Sequence, residues 1–496
     1  MRLQKNLLIA FLLFTTTLRV NITNAEESTN IWSQRKGIRN YMSETRFFDR
    51  LDFFKTTANY HSLSPEEQVS KGREATRKAL TDISVEYAHT QLKKYGIYGG
   101  IPLAATGVIF SKLPSHLIGS VLTSASPVVL TLAGFLFIGA GEQLYYIKEP
   151  PQLPEADLIV EYGAKRHLLN KVTRAYLEES IFYRFWQTEN TDQYDKLVKV
   201  MDKALRMPMH AKLLVYDQEK TQEKLWHYST ELKNRLIRFA FSEIMIQKMT
   251  PKPEGHYPVY FYGSPGTGKT YAAKHLACAM GTNLATVTLD GANIDDIIGT
   301  SFDSLEAKPG LLLEAIVANT ASIQDINHHN QVLLIDEFDR LFIDGDKQSQ
   351  DILAFFLKIL DPHHRYFYSP YLKTNIRLPD TIILAGNTDI HTVSIQNQQL
   401  QSMASRLERI FFDGFSSQTK QEIAFSLMIP KMEQSYKSIS EELAEFSISE
   451  IDLTRIDNFI QSDSDPGLRS LEKFTHEIFE INLQQLGKAG LLQTDF

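Results

Sequence analysis

Residues 263–270 read Gly-Ser-Pro-Gly-Thr-Gly-Lys-Thr and follow the apolar run 257–262, so a predicted strand enters a glycine-rich turn. Glycine accepts the backbone angles that turn successive N–H groups towards one anion. Lys269 can reach the β- and γ-phosphates of a nucleotide, and the Thr270 hydroxyl can bind Mg²⁺. Residues 271–280 predict a helix whose N-terminus faces the phosphates. Strand, loop and helix together indicate a phosphate-binding α/β domain.

The phosphate-binding residues expected from this pattern form one continuous stretch. They are Gly263, Ser264, Pro265, Gly266, Thr267, Gly268, Lys269 and Thr270.

Two further apolar runs end in polar residues. Residues 332–335 lead into Asp336 and Glu337, and residues 381–385 lead to Asn387. Catalytic groups of an open parallel sheet lie where its strands end. Asp336 is suited to hold Mg²⁺, Glu337 to orient an attacking water, and Asn387 to sense a phosphate. The alternative for Asn387 is a turn-forming asparagine.

Composition limits the classes of partner and of covalent cross-link. The 496 residues are 43% hydrophobic and 22% charged, as in ordinary globular proteins with several domains. A formal net charge of −7 disfavours nucleic acid as a partner and a DNA-directed motor as a function. The single cysteine, Cys278, excludes an internal disulfide and is expected in the core.

Several spaced motifs of the C-terminal part resemble one known family. From about residue 194 to 486 the chain is similar to the ATPase module of Lon-type AAA+ proteins. The resemblance is carried by the glycine-rich loop and by the segments 205–208, 226–237, 334–339, 357–362, 371–372, 385–387, 405–410 and 467–472.

The resemblance implies a fold and a set of roles. The fold is an α/β P-loop NTPase of the AAA+ type with a C-terminal helical lid. Residue patterning before this module adds helical regions and a hydrophobic membrane segment to the expected fold class. The family's sensor 1 corresponds to Asn387, its arginine finger to Arg406 and its sensor 2 to Arg469, with Arg409 as a rival finger. His227 and Tyr228 match the segment that borders adenine.

The resemblance also implies cofactors and partners. These are ATP, Mg²⁺ and further copies of the chain, since a finger that reaches the neighbouring subunit implies a ring, most simply a hexamer. Two departures modify the expectation. The sequence ends at Phe496 directly after the lid, so peptidase activity is not expected. The segment 299–309, expected to line the pore, has Ser304 and Leu305 where the family has an aromatic residue, and Phe302 is the candidate substitute.

Two apolar segments predict membrane targeting. Arg2 and Lys5 precede the uncharged run 7–18, which is typical of a secretory signal peptide or an N-terminal anchor; an organelle transit segment is the alternative. Residues 117–141 carry no charge and are long enough to cross a bilayer, with a buried helical hairpin as the alternative. We therefore expect a membrane protein whose ATPase domain faces the cytosol or another ATP-rich compartment.

The predicted organisation divides the chain into six parts. They are a signal peptide or anchor (1–25), a helical region (26–94), transmembrane segments (95–147), a helical neck (148–250), an α/β ATPase domain (251–415) and a helical lid (416–496).

The function expected from these features is that of a membrane-associated, chaperone-like AAA+ ATPase that remodels a protein client or complex. The alternative is a nucleotide-gated, ring-forming scaffold with little or no threading of substrate.

Overall fold

The computed structural model describes most of the chain from residue 155 onwards and shorter pieces before it. The described residues are 39–43, 47–51, 63–84, 86–87, 90, 155–188, 191–212, 214–249, 257–343, 346–361, 364–394, 398–438 and 447–488. They belong to two compact units, divided between Leu205 and Arg206.

The described part of the N-terminal unit is largely helical. A helix over 65–84 begins with a capping box, in which Ser64 and Glu67 exchange hydrogen bonds of 3.1 and 3.2 Å between side chains and backbone N–H groups. The other helices include Phe47–Arg50, Ala156–Lys165, Lys171–Tyr176, a π-helical stretch Leu177–Phe182, Tyr183–Gln187 and Thr191–Leu205.

Buried ion pairs fix the long-range packing of this unit. Glu155 and Glu161, almost fully buried, accept paired hydrogen bonds from Arg39 (2.7 and 2.9 Å) and Arg73 (2.5 and 2.9 Å) respectively. Such bidentate pairs give geometric specificity. Each joins residues about a hundred positions apart, so the segments before and after residues 91–154 pack together.

The C-terminal unit is built around a parallel sheet. Its strands are β1 (Val259–Tyr262), β2 (Leu284–Thr288), β3 (Val332–Asp336), β6 (Thr381–Gly386) and β7 (Glu408–Phe411), in the order β2-β3-β6-β1-β7. β4 (Tyr366–Ser369) and β5 (Thr374–Arg377) form a separate antiparallel hairpin. The helices are α1 (Gln218–Lys224), α2 (Thr230–Met249), α3 (Lys269–Ala279), α4 (Ile294–Ile298), α5 (Leu311–Ala318), α6 (Arg340–Ile343), α7 (Lys347–Ile359), α8 (Ile390–Ser394), α9 (Gln398–Ala404), α10 (Ser417–Ile423), α11 (Ile429–Lys437), α12 (Glu450–Ser462) and α13 (Arg469–Lys488).

Burial explains why these runs are strands of a parallel sheet. All six residues of β6 are buried, as are the first four of β3 and the first three of β1. Strands covered on both faces read as continuous apolar runs rather than as an alternation. Because β3, β6 and β1 are neighbours, the residues that follow them meet at one edge of the sheet.

The last helices form a separate apolar cluster. Buried residues of α12 and α13, among them Ile456, Ile460, Leu471 and Phe479, pack with Ala424 and Ile429. Asp463 and Asp465 join this helical cluster to α10, because Lys420 Nζ donates to the Asp463 carboxylate (2.8 Å) and to the Asp465 carbonyl. The described residues of 416–488 are thus largely helical and share one apolar cluster.

The prediction that Cys278 is buried is wrong. The buried positions of α3 are Ala272, Ala273, Leu276, Ala277 and Ala279, and the Cys278 side chain lies on the exposed side. A helix presents one stripe to the core, with neighbours three and four residues apart.

The predicted membrane location is contradicted as well. No helix among the described residues combines the length and the apolar character that crossing a membrane requires. The two segments that led to the prediction, 1–25 and 95–147, lie outside the described residues.

Candidate functional site

The glycine-rich loop forms one wall of a cleft of about 310 Å³ at the carboxyl edge of the sheet. Gly266 and Gly268 have φ values of +76° and +84°, which side chains other than glycine rarely accept. The loop turns directly into α3, so backbone N–H groups at the start of this helix point into the cleft. This geometry suits a phosphate group.

Lys269 is the cation at the base of the loop. Its ammonium donates hydrogen bonds to the carbonyl oxygens of Gly263 (2.8 Å) and Ser264 (2.9 Å) and to Oδ1 of Asn387 (3.1 Å). Burial lowers the pKa of Lys269 to about 8, and the Arg469 charge lowers it too, while the carboxylates of Asp336 and Asp339 oppose the shift. At pH 7 the side chain is therefore charged and close to its titration range.

Thr270 and Asp336 offer two oxygen atoms to a metal. The Thr270 hydroxyl donates to Oδ2 of Asp336 over 3.0 Å, from the start of α3 to the end of β3. Hydroxyl and carboxylate oxygens are the ligands that Mg²⁺ prefers, and Mg²⁺ usually keeps water and substrate phosphates as its other ligands. The described residues contain no group of three or more His, Cys, Asp or Glu side chains placed to hold a metal ion. The pair therefore fits Mg²⁺ that arrives with a nucleotide.

Glu337 lines the same cleft from an unusual backbone conformation. Its φ of +57° is one of only two positive values among the described non-glycine residues. Residues other than glycine hold such conformations only where surrounding contacts enforce them, often at functional sites. The Glu337 N–H donates to Oδ1 of Asp336 over 2.9 Å, and the Phe338 N–H donates to the Ala385 carbonyl over 2.8 Å. These bonds fix the turn that presents the Glu337 carboxylate.

Asn387 is positioned by a residue that the sequence analysis did not single out. The buried carboxylate of Asp339 accepts hydrogen bonds from the N–H groups of Asn387 (2.8 Å) and Thr388 (3.1 Å). The Tyr260 hydroxyl donates to the Thr388 carbonyl over 2.6 Å. Local sequence does not mark it, because residues 336–340 read Asp-Glu-Phe-Asp-Arg and nothing in this mostly charged turn distinguishes Asp339 as a buried acid.

The two residues expected to border adenine, His227 and Tyr228, occupy different positions. His227 lines the cleft, with ring centroids 5.2 Å from Tyr271 and 5.9 Å from Phe415. Burial lowers the pKa of His227 to about 4, and its Nδ1 is buried without a hydrogen-bond partner among the described residues. A neutral, aromatic wall with one unsatisfied nitrogen fits a purine base. Tyr228 lies behind the wall and donates from its hydroxyl to the Gly268 carbonyl over 2.7 Å.

The helical lid closes the cleft on the other side through Arg469. Arg469 begins α13 and lines the cleft, while the neighbouring Leu468 N–H donates to the Gly266 carbonyl over 3.2 Å. A side chain on Gly467 would collide with the carbonyl oxygen of Pro265. The lid is thus seated directly on the phosphate loop.

The two candidate finger arginines lie away from the cleft of their own chain. The Arg406 Nη1 donates to the Leu357 carbonyl at the end of α7 (3.0 Å) and lies 3.6 Å from Oδ2 of Asp361. Arg409 Nη1 contacts both carboxylate oxygens of Asp389 at 3.1 and 3.0 Å. Neither arginine is among the residues that line the cleft.

The structure thus brings most of the predicted site residues together. Those that line the cleft are His227, Pro265, Gly266, Gly268, Lys269, Thr270, Asp336, Glu337, Asn387 and Arg469. Those that do not are Gly263, Ser264, Thr267, Tyr228 and Arg406.

Phe302 does not have the exposure that a substrate-gripping residue needs. Its side chain is 8% exposed, with its ring centroid 6.2 Å from that of Tyr371. The proposal that it substitutes for the family's aromatic residue is therefore wrong. Leu305 occupies the tip of the same loop and is 98% exposed.

Comparison with known proteins relates the chain to AAA-family ATPases and to Lon proteases. Residues 259–414 match the model of the ATPase family associated with various cellular activities (AAA). A Lon protease of Geobacter metallireducens is 27% identical over 256 residues, which cover 50% of this chain and 27% of that protein. A Lon protease of Fervidobacterium nodosum is 24% identical over 355 residues, covering 68% of this chain and 40% of that protein. Lon protease 2 of Thermus thermophilus is 26% identical over 260 residues, which cover 52% of this chain and 29% of that protein.

The chain therefore spans between 27% and 40% of the length of these relatives. These partial matches leave the expected lack of peptidase activity a prediction.

Proposed function

We propose, on the premise that residues 259–414 are an AAA-family ATPase module of the Lon type, that this protein hydrolyses ATP and uses the cycle to remodel a protein client. The observation that carries the proposal is the convergence of cations, carboxylates and an amide on one cleft at the ends of β1, β3 and β6. Phosphoryl transfer depends mainly on positioning and on neutralisation of charge, and these residue types supply both.

Each residue has a definable task in this reaction. Lys269 and the N–H groups of the loop hold the β- and γ-phosphates, and Thr270 with Asp336 holds Mg²⁺, which offsets the charge on the phosphate oxygens. Glu337 orients a water for attack on the terminal phosphate. Asn387, held by Asp339, hydrogen-bonds either this water or the γ-phosphate. Arg469 approaches the phosphates from the lid.

The absence of Arg406 from the cleft of its own chain supports a ring assembly. The cleft of a single chain contains Lys269 and Arg469 but not Arg406, which its own chain holds through Leu357 and Asp361. An arginine supplied from a neighbouring subunit can accelerate phosphoryl transfer by about 10³-fold or more. We therefore assign Arg406 to the active site of the adjacent subunit in a ring of identical chains, most simply a hexamer.

The scaffold alternative is favoured by one observation. Phe302 is the only aromatic residue of 299–309, and it is buried. A ring without an exposed aromatic grip would use ATP binding to order the assembly and hydrolysis to reset it, with little threading of polypeptide.

The Glu337→Gln variant tests the function. It keeps the shape of the side chain and removes the charge that orients water, so we expect normal ATP binding and a kcat lower by about 10²-fold or more. Phosphate release and equilibrium binding of a fluorescent ATP analogue measure the two quantities. Glu219→Gln, on exposed α1, is the matched control and should hydrolyse ATP normally. Normal turnover by Glu337→Gln would refute the assigned mechanism.

An unfolded protein distinguishes remodelling from scaffolding. Remodelling predicts that a reduced, carboxymethylated globular protein stimulates ATP hydrolysis. A scaffold predicts no stimulation, together with ring formation that depends on ATP.

A further inference from the structure

The Glu337 carboxylate has a charged neighbour, Arg340, that does not line the cleft. Oε2 of Glu337 lies 3.0 Å from Nε of Arg340, the first residue of α6. Nη1 of the same guanidinium lies 2.5 Å from Oδ1 of Asp290, in the loop that follows β2. One arginine thus contacts carboxylates from two different segments of the unit.

The backbone and the side chain of Glu337 are fixed by different contacts. Hydrogen bonds of the Glu337, Phe338 and Arg340 N–H groups hold the turn itself. None of them restrains the torsions of the Glu337 side chain, which has several rotamers of similar energy. Among the described residues, the contact that restrains the carboxylate is the one to Arg340.

Arg340 contacts only one of the two carboxylate oxygens of Glu337, Oε2. Oε2 is removed from solvent and accepts no hydrogen bond of good geometry among the described residues, so the nearby guanidinium is its electrostatic compensation. Holding this oxygen leaves the second oxygen of the carboxylate for the water that Glu337 orients. A guanidinium suits the task because its planar fork can contact two carboxylates at once, whereas an ammonium is a point charge.

We propose that Arg340 is a positioning residue for ATP hydrolysis, which holds the Glu337 carboxylate in its working orientation while Asp290 anchors the other end of the guanidinium. The proposal rests on the proposed function of Glu337. An ordinary exposed i,i+3 ion pair contributes little to stability. The contribution of Arg340 therefore lies in geometry, and it is made in the catalytic step rather than in nucleotide binding.

The first test separates kcat from KM. A side chain displaced from its working geometry slows the chemical step, so Arg340→Ala should lower kcat about tenfold while KM for ATP stays within about twofold. Arg340→Lys, which keeps the charge but loses the fork, should recover part of kcat. Lys347→Ala removes an exposed cation from the start of α7 and should leave both constants unchanged.

The second test changes Asp290, both in the wild-type protein and together with Arg340→Ala. Asp290→Ala should lower kcat severalfold in the wild-type background and have no effect in the Arg340→Ala background, since its action requires the guanidinium. Additive losses would overturn the proposal. So would wild-type kcat in Arg340→Ala, or a loss confined to KM. Should Arg340→Ala not fold, Asp290→Ala decides: an unchanged kcat in that variant overturns the proposal.

ATP hydrolysis by the wild-type protein tests the proposed function separately from the role of Arg340. Wild-type protein that does not hydrolyse ATP overturns both statements, whereas active wild-type protein with unaffected Arg340 and Asp290 variants overturns only the positioning role.

Discussion

The Lys269 ammonium donates a hydrogen bond to Oδ1 of Asn387 over 3.1 Å, and this bond links the phosphate loop after β1 to the tip of β6. Both residues line the cleft proposed to hold the nucleotide. A phosphate that takes up the ammonium's hydrogen bonds also releases the amide, which can then report on the phosphate. We therefore expect the two residues to respond to the nucleotide as a pair.

Rising pH should weaken ATP binding, because burial lowers the pKa of Lys269 to about 8. Below this pH the ammonium is charged with or without ATP. Above it, a bound triphosphate must draw a proton onto Lys269, so affinity should fall about tenfold between about pH 7 and pH 9. Calorimetric titrations in buffers of different ionisation enthalpy measure both the affinity and the proton uptake.

The control for this pH effect is Lys274→Ala, which removes an exposed lysine of the same helix and should preserve the pH dependence. Equal affinities at the two pH values would contradict the assignment. The same shift affects the protein without nucleotide. Its free energy of unfolding should rise as pH increases from about 8 towards 10.5, because the unfolded chain then holds the extra proton.

Arg406→Ala should nearly abolish ATP hydrolysis while leaving the fold intact. The expected loss of kcat is about 10³-fold, the usual contribution of a finger arginine. When the Arg406→Ala chain is mixed with a Lys269→Ala chain, partial activity should return. The Lys269→Ala chain still supplies Arg406, which completes the intact cleft of a neighbouring Arg406→Ala chain. Phosphate release over a series of mixing ratios measures this complementation.

Arg409→Ala is the matched comparison, because Arg409 is held by both oxygens of Asp389. We expect that variant to lose stability rather than to complement. Complementation by Arg409→Ala but not by Arg406→Ala would assign the finger to Arg409.

Asp339→Ala should both destabilise the protein and slow hydrolysis. It leaves the N–H groups of Asn387 and Thr388 without their carboxylate acceptor, which costs about 2–5 kcal/mol for two hydrogen bonds to a charged group. Because the Asn387 side chain is displaced, kcat should fall as well. Urea unfolding and phosphate release measure the two effects, and Asp325→Ala, outside the cleft, is the comparison. Unchanged stability would contradict the role of Asp339.

Phe302→Ala should lower stability, whereas Leu305→Ala should affect only the response of hydrolysis to an unfolded protein. Removal of the buried Phe302 ring should cost about 3 kcal/mol of stability, whereas Leu305 is 98% exposed and its removal should cost none. If the ring threads polypeptide, Leu305→Ala should abolish stimulation of hydrolysis by an unfolded protein. Thermal unfolding and stimulated phosphate release check the pair. Stimulation that survives Leu305→Ala would exclude this loop as the contact.

The sequence predicted the site residues that directly follow a single strand. The glycine loop, Asp336, Glu337 and Asn387 each follow a fully apolar run, and the end of a buried strand is where such groups meet. The order of the strands was not accessible in this way, because β1 pairs with β6 and β7, more than a hundred residues later.

The wrong predictions for Phe302 and Cys278, and the omission of Asp339, all depend on tertiary packing that local sequence does not show. Phe302 lies in a loop that the sequence places in the pore, but its burial depends on Tyr371, which is distant along the chain. Cys278 lies in α3 between two buried alanines, and only the direction of the packed stripe decides its exposure. Asp339 was overlooked because a buried acid is recognisable only when its N–H partners, on another strand, are known.

The seating of the lid on the phosphate loop has a mechanical consequence. Gly266 and Gly467 allow the two backbones to touch, and α13 extends for 20 residues from this contact, or about 30 Å. A rotation of about 5° at the contact moves the far end of such a helix by about 2.6 Å. If a bound phosphate turns α13 about this contact, a small shift at the loop therefore becomes a larger one at the far end of the helix.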